Sequence, residues 1–274
     1  MIATSIDTGT SALLAEMKNG VLTLTMNRPE ARNALSVDMI EAMSRQLQWA
    51  AREDDVRCVL LTGAGKGFCS GGDVKDMNNS ESAMRSIATD TLIQRQRLAQ
   101  RDTAGHLYRM PKPTIAVLNG TAAGAGLSLA LACDLRIMSS QAAMLTAFAK
   151  VGLSGDFGGT WFLSQLIGTA KARELYMLSG KVDAAEALRL GLANWICEPG
   201  ELAGYAAETA EKLANGPTVA FRYIKENLNR AAYADLEDCM DLEATHHVHC
   251  MATSDHGEAV AAFAQKREPA FAGR

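Results

Sequence analysis

Strand-like and helix-like segments alternate over the first two hundred residues, which predicts an α/β fold. Two further observations give it shape. Buried apolar runs lead into two glycine-bearing turns, Cys69-Ser70-Gly71-Gly72-Asp73 and Asn119-Gly120-Thr121-Ala122-Ala123-Gly124-Ala125-Gly126. Beyond about residue 200 strand patterning stops and only helical periodicity remains.

The elements follow in order. Val21-Leu22-Thr23-Leu24-Thr25-Met26 alternates apolar and hydroxyl side chains, the period of a half-buried strand, and Pro29 ends it. From Ser36 to Arg52, apolar residues recur at Met39, Ile40, Met43, Leu47 and Ala50, which predicts a helix that Ser36 is placed to cap. Cys58-Val59-Leu60-Leu61 reads as a buried strand leading to the first glycine turn. Residues from about 76 to 110 are polar and helical in character, and Pro111 and Pro113 close them before the buried strand Thr114-Ile115-Ala116-Val117-Leu118. After residue 200, helical spacing covers Leu202–Ala214, Thr218–Asn229, Leu236–Met251 and Glu258–Gln265, with Gly216-Pro217 as punctuation. The expected division is a core over 1–200 and a second, helical packing unit over 201–274.

Composition narrows the function classes. The chain has 274 residues, 48% of them hydrophobic and 21% charged, enough for a large core. A net charge of −4 supplies no general attraction to nucleic acid or anionic membranes, so an anionic ligand must be held by local cations. No apolar run nears the ~20 residues of a membrane span, and no basic-then-apolar leader opens the chain; a cytoplasmic protein is expected. The six cysteines lack Cys-x-x-Cys spacing and read as free thiols.

The two turns carry the chemistry. Where side chains are small, a ligand carbonyl can approach backbone amides closely, and a helix start offers unpaired N–H donors with a favourable dipole. Two such amides aimed at one oxygen make an oxyanion hole. Other motifs lead nowhere: Gly63-Ala64-Gly65-Lys66-Gly67 lacks the spacing of a nucleotide-phosphate loop. His246, His247, His249 and Cys250 crowd one helical segment without a second ligand cluster, and Cys69 has no evident histidine partner.

With their surroundings, these turns resemble the crotonase (enoyl-CoA hydratase/isomerase) superfamily. The resemblance is carried in order by Met26 to Ser36, Leu61 to Lys75, the second turn, Gly152 to Thr160 and Ala262 to Arg267. It implies a crotonase-like spiral of β-β-α turns and a C-terminal helical region that packs trimers, often paired into hexamers. It further implies an acyl-CoA thioester substrate, with coenzyme A entering as part of that substrate and no separate cofactor or metal. Carried over by position, the oxyanion amides fall at Gly72 and Ala125. The binding residues fall at Arg28, Arg32, Ser70, Asp73, Lys75, Gly124, Ser128 and Phe148, and Phe263 and Lys266 match residues that reach the coenzyme A of a neighbouring subunit.

One departure from the family pattern decides the expected chemistry. The two glutamates that handle water and protons in the family's hydratases correspond here to Ser128 and Phe148, neither of which can transfer a proton as a carboxylate does. Asp156, in a glycine-bounded turn, matches the acid used by several of the family's isomerases. It is expected to take a proton from one end of an allylic system and return it to the other. Its alternative role is to cap a helix beginning near Phe157. The readings kept beside double-bond or ring isomerisation are hydration, thioester hydrolysis, and non-catalytic binding of acyl-CoA or RNA; dehalogenation ranks low, because His106 does not fall at the place of the family's histidine base.

Overall fold

The computed structural model describes residues 3–73 and 87–274. Among the described residues, seven strands form one sheet in the order β1-β2-β3-β4-β6-β8-β11. These are β1 (Thr4–Ile6), β2 (Leu13–Lys18), β3 (Val21–Met26), β4 (Cys58–Gly63), β6 (Thr114–Leu118), β8 (Leu135–Ser139) and β11 (Trp195–Cys197). Antiparallel pairing joins β1 to β2 and β2 to β3, and from β3 onward every neighbour is parallel. Four short strands form a second sheet in the order β10-β9-β7-β5: β5 (Gly67–Cys69), β7 (Thr121–Ala123), β9 (Ala143–Leu145) and β10 (Val182–Asp183).

The chain feeds the two sheets alternately. β4 enters the large sheet and β5 the small one; β6 and β7 repeat the step, and so do β8 and β9. Helices follow each pair: α2 (Thr89–Asp102) and α3 (Ala104–Arg109), then α4 (Ala125–Ala132), then α5 (Gly159–Leu178). This is the expected spiral of strand-strand-helix turns.

Local chemistry sets the elements as anticipated at several points. The helix α1 (Val37–Arg52) begins at Ser36, whose hydroxyl accepts a hydrogen bond from the Met39 amide at 3.3 Å, and it buries Met39, Ala42, Met43, Leu47 and Ala50. α4 is apolar all round and fully buried, as a helix without a solvated face must be. Beyond α6 (Ala184–Arg189), α7 (Leu202–Ala214) lays Leu202, Ala206, Ala210 and Ala214 on the face of the large sheet formed by Val21, Cys58, Leu60, Ile115, Val117 and Ile137. The first helix of the all-helical stretch therefore covers the sheet, and α8 (Thr218–Ala231), α9 (Leu236–Met251) and α10 (Ser254–Gln265) follow it.

A buried cation fastens α8 to the body. Lys225 is 7% exposed, and its Nζ donates to Asp134 Oδ2 at 2.8 Å and to the Leu107 carbonyl at 2.9 Å. Asp134 also accepts from the Thr114 amide and hydroxyl at 2.8 and 3.0 Å, so one carboxylate ties α8 to β6. Removing one partner of such a pair strands the other, although Asp134 keeps Thr114. Lys225→Met is expected to cost about 2 kcal/mol. The thermal midpoint should then fall by roughly 4–8 °C; a scan showing no fall would refute the role given to this pair.

Candidate active site

The two glycine turns meet because β5 and β7 are parallel neighbours, with Gly67 opposite Thr121 and Cys69 opposite Ala122. Their approach is backbone to backbone. Gly71 has φ +95°, and a Cβ there would stand 3.0 Å from the Ala123 carbonyl oxygen and 3.4 Å from the Ala125 nitrogen. A Cβ on Gly126 would lie 2.5 Å from the Cys69 carbonyl oxygen, closer than any side chain tolerates. Gly124 adopts φ +52°, ψ −127°, a conformation open in practice to glycine alone, and turns the chain from β7 into α4.

This geometry leaves an unpaired donor on each of the two touching turns. The Leu35 amide donates to the Gly71 carbonyl at 2.8 Å and the Ser70 amide to the Arg32 carbonyl at 3.0 Å, while the Gly72 amide makes no hydrogen bond to a described residue. The Ala125 amide, at the first position of α4, is likewise unpaired among the described residues, as the first donors of a helix are unless something caps them. The Ala125 nitrogen stands 3.4 Å from where a side chain on Gly71 would begin.

Asp156 arrives from the next turn of the spiral, between β9 and α5. It does not cap a helix: α5 starts at Gly159 with Gly158 at its N-cap and no side-chain cap, so the capping alternative fails. Asp156 Oδ1 is buried and has no hydrogen-bond partner among the described residues. Burial pushes the carboxyl from the ordinary carboxylate range up to about 6. A buried carboxylate oxygen with no structural partner is costly, and such groups concentrate where chemistry is done. Cys69 lies close enough to feel it. Burial first, and the Asp156 charge in addition, push the Cys69 thiol up to about 12, which makes it an inert core residue and not a nucleophile.

Ser128 and Phe148 sit around this acid. Ser128 is buried one turn into α4, and its hydroxyl lies 3.0 Å from the Asp156 carbonyl oxygen and 3.3 Å from that of Gly124. Phe148 is buried and stacks on Tyr176 of α5 with ring centroids 5.8 Å apart. Burial raises the Tyr176 phenol above the ordinary value, with the Asp156 charge adding to the rise. Gly159 must lack a side chain, because a Cβ would fall 2.3 Å from Ser128 Oγ and 2.5 Å from the Tyr176 hydroxyl. On the far side, the Phe157 amide donates to Gln100 Oε1 of α2 at 2.6 Å. Tyr176 and Gln100 escape sequence reasoning: each lies in a helix whose pattern marks it as ordinary, and only folding brings it to residue 156.

The remaining expected residues divide. Arg28 forms an ion pair with Asp73 at 2.9 Å and donates to the Ala34 carbonyl at 2.8 Å. Its guanidinium thus braces residues 28–35 against the first turn. Arg32 and Ser70 are exposed beside that turn. Phe263 is 88% exposed and Lys266 is also exposed, at the end of α10, a helix packed against α9; the fold of one chain does not gather them with the two amides. Lys75 lies outside the described residues. No group of three or more potential metal ligands occurs among the described residues. His246 is instead packed, stacked on Tyr223 at 4.2 Å with Nδ1 2.5 Å from Asn227 Oδ1. No helix among the described residues is long and apolar enough to cross a membrane.

Known proteins resemble the chain in sequence and in fold. Residues 16–274 match the family model described as enoyl-CoA hydratase/isomerase. A 1,2-epoxyphenylacetyl-CoA isomerase of Escherichia coli is 37% identical, over 96% of this chain and 98% of its own. A short-chain-enoyl-CoA hydratase of Clostridium acetobutylicum is 34% identical, over 93% of this chain and 95% of its own. The crystal structure of an enoyl-CoA hydratase from Polaromonas sp. JS666, 33% identical, superposes with a TM-score of 0.88 over 94% of this chain and 99% of that one.

Because the Gly71 approach is set by backbone atoms, Gly71→Ala should strain both turns and cost about 1–3 kcal/mol. The expected readout is a thermal midpoint several degrees below that of the parent protein. A variant as stable as the parent would mean that the turns are not in the contact described.

Proposed function

The chain belongs to the enoyl-CoA hydratase/isomerase family, and from that premise we propose that it is an isomerase that shifts a double bond in an acyl-CoA thioester, with Asp156 as its one acid–base group. The observation that carries the reading is the buried, unpartnered Oδ1 of Asp156, on the strand-end loop next to the two amides. The thioester carbonyl oxygen accepts hydrogen bonds from the Gly72 and Ala125 amides. Carboxylate Asp156 takes the proton from C2 of a 3-enoyl thioester, and negative charge moves to the carbonyl oxygen, where the two donors hold it as a dienolate. The protonated carboxyl then returns the proton to C4, leaving the 2-enoyl product and the carboxylate as they began. Neither water nor a second acid enters.

The hydratase alternative lacks its parts. Ser128 spends its hydroxyl on backbone carbonyls, and Phe148 is packed on Tyr176, so neither position offers a carboxylate to hold a water. Relatives bear both kinds of name: a trans-2-decenoyl-[acyl-carrier-protein] isomerase of Streptococcus mutans is 31% identical over 96% of the chain. The name of the Escherichia coli relative favours a ring-derived acyl group as a second substrate class for the same residues. Coenzyme A enters as part of the substrate, with Lys75, Arg32 and, from a neighbouring copy, Phe263 and Lys266 along its path. A trimer is supported by the apolar side chains that α8 to α10 leave exposed, among them Leu228, Leu236, Met240, Val248 and Phe263.

Asp156→Asn is expected to lower kcat on 3-enoyl-CoA by about 10²–10⁴-fold, with KM changed little. Isomerisation that survives in this variant would overturn the assignment. Release of free thiol from the thioester, or addition of water across a 2-enoyl-CoA, would establish hydrolase or hydratase in its place, and binding without turnover a non-catalytic role.

The pH dependence has two signs. As a base Asp156 must be ionised, so kcat/KM should fall as pH drops through about 6. Stability runs the other way. The folded state holds this proton more tightly than the unfolded chain, so the favourable contribution is complete below the unfolded carboxyl range and is lost as pH rises to about 6. Above that pH the buried charge costs about 3 kcal/mol. Asp156→Asn should therefore melt later than the parent at pH 8 and gain much less at pH 4. Equal gains at both would mean that Asp156 is not buried as a charge.

A further inference from the structure

Helix α2 is loosely built into the molecule: across its fourteen residues no side chain is fully buried, and no side chain caps its start. Yet Gln100, near its end, reaches 57 residues along the sequence to the Asp156 turn. The carbonyl of Asp156 and the amide of Phe157 belong to one planar peptide unit. That unit is held at both ends, its oxygen by Ser128 Oγ at 3.0 Å and by the Gly159 amide at 3.0 Å, and its N–H by Gln100 Oε1 at 2.6 Å.

The clamp matters because the peptide stands in an orientation it would not choose. Phe157 has φ +47°, a left-handed value that a bulky side chain rarely adopts, and rotating the plane would relieve it. Phe157 is buried, so its N–H has no water to turn to and depends on the Gln100 carbonyl. Of the groups holding this plane, Gln100 alone comes from outside the α4 and α5 framework that the acid itself rests on.

We propose that Gln100 is a positioning residue for Asp156: by holding the Phe157 amide it locks the preceding peptide, fixes the direction of the Asp156 carboxyl and keeps Oδ1 out of water. The inference rests on Asp156 being the acid–base group. Cys69 and Tyr176, which also face that carboxyl, stay neutral through the working range, so they do not set its charge.

The test compares Gln100→Leu and Gln100→Glu with the parent protein and Asp156→Asn. Two quantities are read: kcat and KM on 3-enoyl-CoA from pH 5 to 9, and the titration of the Asp156 carboxyl by carbon-13 NMR, with Asp156→Asn as the blank. Gln100→Leu removes the acceptor. It should lower kcat about tenfold or more with KM within about threefold, and move the carboxyl midpoint from about 6 down toward the ordinary range as water enters. Gln100→Glu keeps an acceptor of the same shape and adds a charge. At pH 8 and above it should recover kcat to within about threefold of the parent, while the carboxyl midpoint moves upward. Gln100→Leu with parental kcat and midpoint, or a Gln100→Glu midpoint that moves downward, overturns the proposal. If Gln100→Leu does not fold, Gln100→Glu decides alone. The carboxyl titration needs no turnover, so an active Asp156→Asn would end the isomerase reading while the midpoints still judge the clamp.

Discussion

Everything at this site depends on two stretches of backbone coming closer than side chains allow. Residues 69–72 and 123–126 touch through main-chain atoms, and at Gly71 and Gly126 a single added carbon would meet a carbonyl oxygen at 3.0 and 2.5 Å. That contact is possible only because β5 and β7 lie side by side in the small sheet. The same sheet explains the acid. β9 is the next parallel neighbour, and the chain beyond it carries Asp156. Gly72, Ala125 and Asp156 therefore follow the ends of three adjacent parallel strands, one from each of three successive turns of the spiral. Strands of three residues bury little surface on their own, so the larger sheet and its core fix their positions, and catalytic geometry is inherited from packing some distance away.

A carboxyl at such a place works against stability. Asp156 Oδ1 is closed to solvent and has no described hydrogen-bond partner, and two described polar groups near it are spent elsewhere: Ser128 and Gln100 hold the peptide that follows Asp156. Neither touches the carboxylate, which keeps its proton affinity raised where a partner would lower it. The surroundings thus separate holding from neutralising. The backbone of the acid is fixed by three contacts while its side chain is left free to exchange a proton.

Much of this was legible in the chain and some was not, for physical reasons. Segments that bury a continuous face declared themselves: β3 by alternation, α1 by its apolar stripe and its Ser36 cap, and α7 to its end residues, while α9 also matched its expected ends although it buries only His246. The glycine turns were visible because close approach leaves a compositional trace. The hairpin of β1 and β2 was missed, since Leu14 points outward and blurs the alternation. So were β5, β7 and β9, too short to carry a period. Helix-capping by Asp156 was a fair expectation that α5 refuses by starting three residues later, behind Gly158. Tyr176 and Gln100 could not have been found, because a residue acting on a partner 20 or 57 positions away leaves no mark in its own neighbourhood. The ion pair of Arg28 with Asp73 was hidden similarly, since nothing in the local sequence marks the two as partners.

Ser128 and Phe148 bear on the reaction as a pair. In a site with two acids, a proton lost to one can be supplied by the other, and a water held between them can add to the substrate. Here the first position has become a hydroxyl that braces the Asp156 turn, and the second a ring stacked on Tyr176. Neither side chain supplies a carboxylate to hold water, and both add packing near Asp156. If Asp156 is the base, as proposed, a proton it takes would find few routes out among the described residues, since Oδ1 is closed to solvent and the neighbouring Cys69 and Tyr176 hold their own protons well above neutral pH. Return to the substrate would be the short path. On the isomerase reading proposed above, the dienolate would offer two carbons to receive it, and the choice between them would be geometric, decided by where the carboxyl points relative to a carbonyl held by Gly72 and Ala125. On that reading, a site without carboxylates at positions 128 and 148 would trade the addition of water for control over the position of a double bond.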